Sequence, residues 1–234
     1  MNRGPLLFLG VFFALASSWY GMVLKPQLQI GSLQQTNAVA TAETYPAARP
    51  GLARQGAEVY RANGCVYCHS QQVRSMGADL ERWGKRRTVA NDYLFDYPVL
   101  LGSQRIGPDL ANIGVRPRSE EWHLLHLYDP RSVVPNSTMP LYRYLFAKRK
   151  VARPPAIDAL KLTGKSAAEP GWEIVPKPEA KALIAYLLSL HSEAGLFETP
   201  MPGPPTKAPP ASTNALASAG TNALNRPQTN SAAK

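Results

Sequence analysis

Cysteine is nearly absent, with two in 234 residues. That scarcity excludes a disulfide scaffold, a four-thiolate zinc site and a four-cysteine iron–sulfur cluster, since each needs more thiols. Acidic residues are also few. Sixteen stand against 26 lysines and arginines, and the net charge of +10 suits an acidic partner, anionic lipid or nucleic acid without choosing among them. No nucleic-acid-binding motif accompanies the charge, so nucleic acid is not expected as a partner. Mean hydropathy is negative and apolar residues make up 44% of the chain, which excludes a polytopic membrane protein but not a single span. No alternating strand run of useful length is present, so the expected class is all-α with long loops.

One apolar run stands out. Pro5 to Leu24 is twenty residues without a charge, and as a helix it would be ~30 Å long, about the thickness of the hydrocarbon core. Trp19 and Tyr20 lie near its far end, where an aromatic belt belongs. Ala14-Leu15-Ala16 has the small-x-small form of a cleavage site, so the rival reading is a signal peptide. The apolar run continues past Ala16 to Leu24, which favours a retained anchor over residues 1–24. Arg3 before the span and Lys25 after it give only a slight bias toward an inside N-terminus.

Residues 25–50 mix Gln, Thr, Ala and Pro with little periodicity and read as a linker. From Gly51 a helical pattern sets in, with Ala53, Gly56, Val59 and Tyr60 available for one small-residue, apolar face, and it runs directly into Cys65. Ser119 with Glu120 and Glu121 predicts an N-cap and acidic first turn, and Asp129-Pro130 predicts the stop. A further helix is expected from Pro178 to His191, with Leu183, Ile184, Leu187 and Leu190 as its stripe. The head is thus expected over residues 51–192. Residues 193–234, rich in Pro, Ala, Thr and Asn, read as a disordered tail.

Cys65-Val66-Tyr67-Cys68-His69 has the spacing C-x-x-C-H, which attaches c-type haem. Two thiols three positions apart on one turn can each add to a haem vinyl group, and the adjacent imidazole can reach the iron. The motif uses both cysteines of the chain. A thioredoxin-like redox pair has no need of His69. A zinc site borrowing His123 and His126 would have the wrong H-x-x-H spacing and too long a loop. For a sixth ligand, Met1 and Met22 belong to the anchor, Met201 to the tail, and Met76 is only seven residues past His69. Met139, in a turn-rich loop before Pro140, remains as the expected thioether. His123 and His126 lie on one helical face and read as structural or surface residues, with haem propionate contact or partner docking as the alternative. Pro108 offers the carbonyl expected to accept the outer N–H of His69. Arg82, Lys85, Arg86 and Arg87, with Lys148, Arg149 and Lys150, read as solvated surface, or else as docking groups for an acidic face or lipid.

Gly56 and Tyr60 before C-x-x-C-H, then Gly107-Pro108-Asp109-Leu110, Met139-Pro140 and a last helix around Tyr186 and Leu187 together resemble a class I cytochrome c domain. The strings CVYCHSQQVR, GSQRIGPDLANIG and EEWHLLHLYDPRSVVPNSTMP look like the mono-haem subunit II (FixO-like) of cbb(3)-type cytochrome c oxidase. The insertion separating His69 from Pro108 by 39 positions is its fingerprint. The resemblance implies one covalently attached haem c, on the periplasmic side of a single-pass protein in the bacterial inner membrane. It implies electrons arriving from a di-haem cytochrome c subunit or soluble cytochrome c and leaving for haem b of a catalytic haem b/copper subunit. Oxygen reduction would belong to that other chain, so this one would be a non-catalytic electron-transfer subunit. Two other readings stay open: a free-standing membrane-tethered carrier, favoured by a long flexible linker, and an enzyme or gas sensor with an open sixth position.

Overall fold

A computed structural model of the chain describes residues 2–39 and 41–197. Most of the tail expected from residue 193 lies outside the described residues. The chain is mostly helical. Helix α1 (Gly4–Trp19) continues through a π-helical turn (Tyr20–Leu24) into α2 (Lys25–Ile30), giving 27 continuous residues with no buried side chain. At 1.5 Å per residue this helix is ~40 Å long, long and apolar enough to cross a membrane. It runs past Lys25-Pro26, where the sequence pattern stops at Leu24. Pro26 has no N–H and its ring would press on the carbonyl of Met22. The π turn widens the ladder at that point, with the Lys25 N–H donating five residues back to Tyr20.

The head is built on the crossing of α3 (Gly51–Ala62) and α7 (Pro178–Leu188). Ala53, Gly56 and Tyr60 are the buried residues of α3, and Ala182, Leu183 and Tyr186 are among those of α7. Gly56 sets the approach. A Cβ there would fall 1.9 Å from the Ala182 carbonyl oxygen and 2.6 Å from Tyr186 Cβ, so only glycine lets the two backbones touch. One turn on, the Tyr60 and Tyr186 rings meet at 5.5 Å between centroids, tilted by 60°, within the favourable range for aromatic pairs. Pro178 opens α7, where its missing N–H costs nothing. Helix α4 (Gly77–Arg82) lies in the insertion. Helix α5 (Glu120–Tyr128) is capped by the Ser119 hydroxyl, which accepts from Trp122 N at 3.1 Å. Its Leu124 and Leu127 join the core, and Asp129 then caps the short α6 (Pro130–Val133).

The head is not all-α. A small ribbon pairs β1 (Thr36–Asn37) with β2 (Thr44–Tyr45), and a longer one pairs β3 (Phe146–Lys150) with β4 (Trp172–Pro176), in antiparallel register from Phe146↔Pro176 to Lys150↔Trp172. Strand β3 escapes a local pattern because only its first residue, Phe146, is buried. Its charges are satisfied across the ribbon, Arg149 Nε donating to Glu173 at 2.8 Å and Lys148 sitting 5.0 Å above the Trp172 ring. Such pairing is a property of two strands together, not of either alone.

Residues 36–50, expected as linker, pack against the head. Tyr45 is 8% exposed, and its hydroxyl donates to Asp92 at 2.7 Å. Arg86 forks onto the same carboxylate at 2.9 and 2.7 Å, and its Nε donates to the Ala194 carbonyl at 2.6 Å. Val39 N donates to Gly195 O at 2.9 Å, and Leu196 closes over Ala38 and Tyr45. Arg86, expected on the solvated surface, is therefore 3% exposed; a carboxylate and two carbonyls satisfy a charge that could not otherwise be buried.

The helix crossing makes a direct prediction. Gly56→Ala should lower thermal stability by about 3 kcal/mol, the upper end for overpacking, because the obstacle is backbone. Gly51→Ala, with nothing within 4 Å of the added carbon, should stay within about 0.5 kcal/mol of wild type. Calorimetric or far-UV thermal unfolding of the two variants checks the contrast.

Candidate functional site

Two residues past the end of α3, Gly64, with a φ of +69°, turns the chain sharply, a conformation glycine adopts without penalty. Cys65 to Tyr67 then form a tight 3₁₀ turn, closed by Cys68 N and His69 N, which donate to Cys65 O at 3.1 and 2.9 Å. The turn delivers both thiols and the imidazole to one cleft of about 520 Å³, lined also by Gly107, Pro108, Trp122, His126 and Met139. That volume is typical of small-molecule and cofactor sites, roughly 300–1,000 Å³. A larger hollow of about 750 Å³ lies between α3 and residues 95–100, but contains none of the motif residues.

His69 Nδ1 lies 2.8 Å from the Pro108 carbonyl oxygen. A carbonyl only accepts, so Nδ1 carries the proton and Nε2 keeps its lone pair. Burial lowers the His69 pKa, while the bond to Pro108 works the other way. Gly107 makes the approach possible: a Cβ on it would stand 2.3 Å from His69 Cε1. Both thiols are free, and burial pushes the Cys65 thiol up to about 11. Met139 is half-buried in the same cleft. Its loop is held by Tyr142 N, donating to Leu127 O at 2.9 Å, and by Met139 N, donating to the Ser137 hydroxyl at 3.3 Å. Met76 is 58% exposed at the start of α4 and does not line the cleft.

His126 also lines the cleft, its ring stacked on Trp122 at 4.8 Å and 9°. His123, behind it, is buried. Burial pushes both imidazoles down to about 4, so both are neutral at pH 7. His126 Nδ1 and His123 Nε2 are buried without a hydrogen-bond partner among the described residues. Arg82, Arg116 and Arg118 make one side of the cleft basic, with Arg116 over the Trp83 ring and Arg118 over Trp122. An imidazole, a thioether, two free thiols, an orphaned imidazole nitrogen and a glycine cradle under His69 form a donor set that fits a haem.

An ionic network absent from the motif reading lies beside His69. Asp109 is fully buried, and its carboxylate accepts from Ser70 Oγ at 2.6 Å, Gln72 N at 2.8 Å and Ala111 N at 2.9 Å. Asp79 accepts from Arg74 N and Nε at 2.9 and 3.0 Å and from Arg105 Nη1 at 2.7 Å. The Arg74 hydrogen bond, helped by Arg105, holds the Asp79 carboxyl well below the usual carboxylate range. Only Asp109 had a local signal, as the residue after Gly107-Pro108. Asp79, within the short α4, and Arg105, in a loop, have nothing in their local sequence to single them out.

The sequence matches the family model described as cytochrome C oxidase, mono-heme subunit/FixO, over residues 3–169. No curated protein matches it.

Because Asp79 is held ionised, its folded pKa lies below the unfolded value of about 3.9. Its stabilisation is therefore complete above about pH 4 and is lost as pH falls through the folded value. Asp79→Asn should be less stable than wild type by about 1–3 kcal/mol at pH 7, and the gap should narrow steadily below about pH 4. Urea titrations across that range provide the check.

Proposed function

The chain belongs to the FixO family, the mono-haem subunits of cytochrome c oxidase, and from that premise we propose that it relays electrons inside a cbb(3)-type complex. The head takes the class I cytochrome c arrangement, with α3 and α7 as the crossing helices. Cys65 and Cys68 hold the haem covalently through thioethers, His69 and Met139 are the iron ligands, and the Pro108 carbonyl orients His69. Bound there, haem supplies a one-electron ferric/ferrous couple. The protein tunes that couple by choice of ligand: the Met139 thioether, soft and neutral, favours the ferrous form relative to a second imidazole. The Pro108 carbonyl fixes the His69 tautomer and raises its basicity. Neutral His123 and His126 add no charge to the cleft.

Electrons come from a di-haem cytochrome c subunit or a soluble cytochrome c, and go to haem b of the catalytic haem b/copper subunit, which reduces oxygen. The long N-terminal helix serves as a retained anchor in the inner membrane, with the haem domain on the periplasmic side. One observation supports a fixed subunit over a free-standing carrier. The packed head begins at Thr36, and only residues 31–35 separate it from the end of α2 at Ile30. Five extended residues reach at most ~17 Å. So short a tether gives the head little freedom to travel between separate complexes.

Purification from membranes in mild detergent tests the circuit. The chain should copurify with a haem b/copper subunit; isolation as a lone membrane-bound haem protein would favour the free-standing carrier. For the attachment, Cys65→Ala/Cys68→Ala should leave no haem stain after denaturing electrophoresis, because thioethers survive denaturation and non-covalent haem does not. For the ligand, Met139→His should keep covalent attachment and a six-coordinate, low-spin haem but lower its reduction potential and slow electron delivery. The weak far-red band of the ferric protein should vanish in Met139→His and persist in Met76→Leu; the reverse outcome would overturn the assignment of Met139.

A further inference from the structure

His69 and Pro108 come from segments 39 positions apart, and their hydrogen bond is only as good as the registration of those segments. Three backbone bonds run between the strands of chain: Gly107 N to Cys68 O at 2.9 Å, Leu110 N to Ser70 O at 2.7 Å, and Gln71 N to Leu101 O at 2.7 Å. The residue after His69 is Ser70, and the residue after Pro108 is Asp109. Arg105 reaches both. Its Nε donates to Ser70 Oγ at 2.7 Å, and its Nη2 stands 3.6 Å from Asp109 Oδ2, the atom to which Ser70 Oγ donates at 2.6 Å. Nη1 donates to Asp79 at 2.7 Å and Nη2 to Gln72 O at 2.5 Å. The guanidinium thus lies between two carboxylates, one 5% and one 0% exposed, and is itself 21% exposed.

We propose that Arg105 is a positioning residue for the haem ligand, locking Ser70 and Asp109 together so that the His69–Pro108 hydrogen bond keeps its geometry. The proposal rests on His69 being an iron ligand as described above. A planar fork with five donors can serve Ser70, Gln72, Asp79 and Asp109 at once, whereas a lysine at the same place is a point charge with three rotating donors. Without the fork, two buried carboxylates lose their shared partner and the segments can part by a fraction of an ångström. A longer Nδ1–H···O bond makes the imidazole a weaker donor through Nε2, because the outer hydrogen bond sets ligand basicity. Weaker donation destabilises the ferric form, so the reduction potential rises. A charge-conserving variant isolates this effect, since removing the positive charge would by itself lower the potential.

The test is redox titration of the full-length, haem-loaded chain in detergent, with NMR of the His69 ring protons in the ferric state. Arg105→Lys should shift the ferrous-to-ferric ratio at fixed poise by about tenfold, the low end for an outer partner of a metal ligand, which is ~59 mV upward for one electron. The His69 ring signals should move with it. Ser70→Ala, which removes only the shared hydroxyl, should shift both in the same direction. Arg74→Lys is the control, because Arg74 forks onto Asp79 at 3.0 and 3.2 Å with no bond to Ser70 or Asp109 among the described residues. It should destabilise the fold without moving the potential. An unchanged potential in both Arg105→Lys and Ser70→Ala, with haem in place, overturns the proposal. So does a shift in Arg74→Lys as large as that in Arg105→Lys, which would mean general loosening. Absence of attached haem from the wild-type chain would instead be the failure of the site reading, and would remove this proposal with it.

Discussion

The hydrogen bond between His69 and Pro108 is the constraint around which the head is arranged. It joins the residue that leaves the C-x-x-C-H turn to the far end of a long excursion, so every residue between must fold such that the two ends meet. Closing a loop of that length costs conformational entropy that grows only slowly with further residues, but the loop must also be placed to a fraction of an ångström. Backbone bonds at 68–107 and 70–110 provide the coarse alignment. The buried carboxylates of Asp79 and Asp109 add charge-assisted hydrogen bonds, Asp79 accepting from Arg105 at 2.7 Å and Asp109 from Ser70 at 2.6 Å, with Arg105 lying between the two. Gly107 contributes by lacking a side chain, since the His69 ring occupies the space a Cβ would need.

The same economy governs the positive charge. Most lysines and arginines are exposed, but a few arginines are not on a solvated face. Arg86 is inside, clamped on Asp92 and Tyr45; Arg105 is between carboxylates; Arg116 lies over Trp83 and donates to the Asp109 carbonyl at 2.6 Å. Arginine suits these places because its planar fork stays charged and can satisfy several acceptors at once. Each such cluster ties together segments distant in sequence. The Arg86 cluster joins residue 45, residue 92 and residue 194, and so fastens the polypeptide on both flanks of the head. This fastening shortens the free tether beneath the head to a few residues, and it links a local ion pair to the proposed role of the protein as a fixed subunit.

The cleft combines a neutral His126 with a basic side formed by Arg82, Arg116 and Arg118. Burial holds His123 and His126 uncharged at pH 7, and His69 donates its outer proton to a carbonyl, not to a carboxylate. A carboxylate there would add charge and basicity and hold the potential lower. The carbonyl partner of His69 and the Met139 thioether, which lines the same cleft, are both uncharged.

Sequence alone determined what is local. The apolar run with no polar face, the Ser119 cap, the Pro178 start of α7 and the C-x-x-C-H turn all depend on neighbours within a turn or two, where periodicity and side-chain chemistry act directly. Gly56 and Tyr186 were legible through the resemblance to a class I cytochrome c domain and not through local pattern. Tertiary structure decided the rest. The partner of β3 lies beyond residues 151–171, the end of the anchor helix depended on a π turn absorbing Pro26, and residues 36–50 looked like linker because their burial is set by Arg86 and Asp92 far along the chain. Arg86 read as a surface residue, and Arg105 carried no signal of its own. What fixed their places was contact with distant segments, Tyr45 and Ala194 for Arg86 and Asp79 for Arg105, and such contacts leave no mark in the pattern of either segment alone.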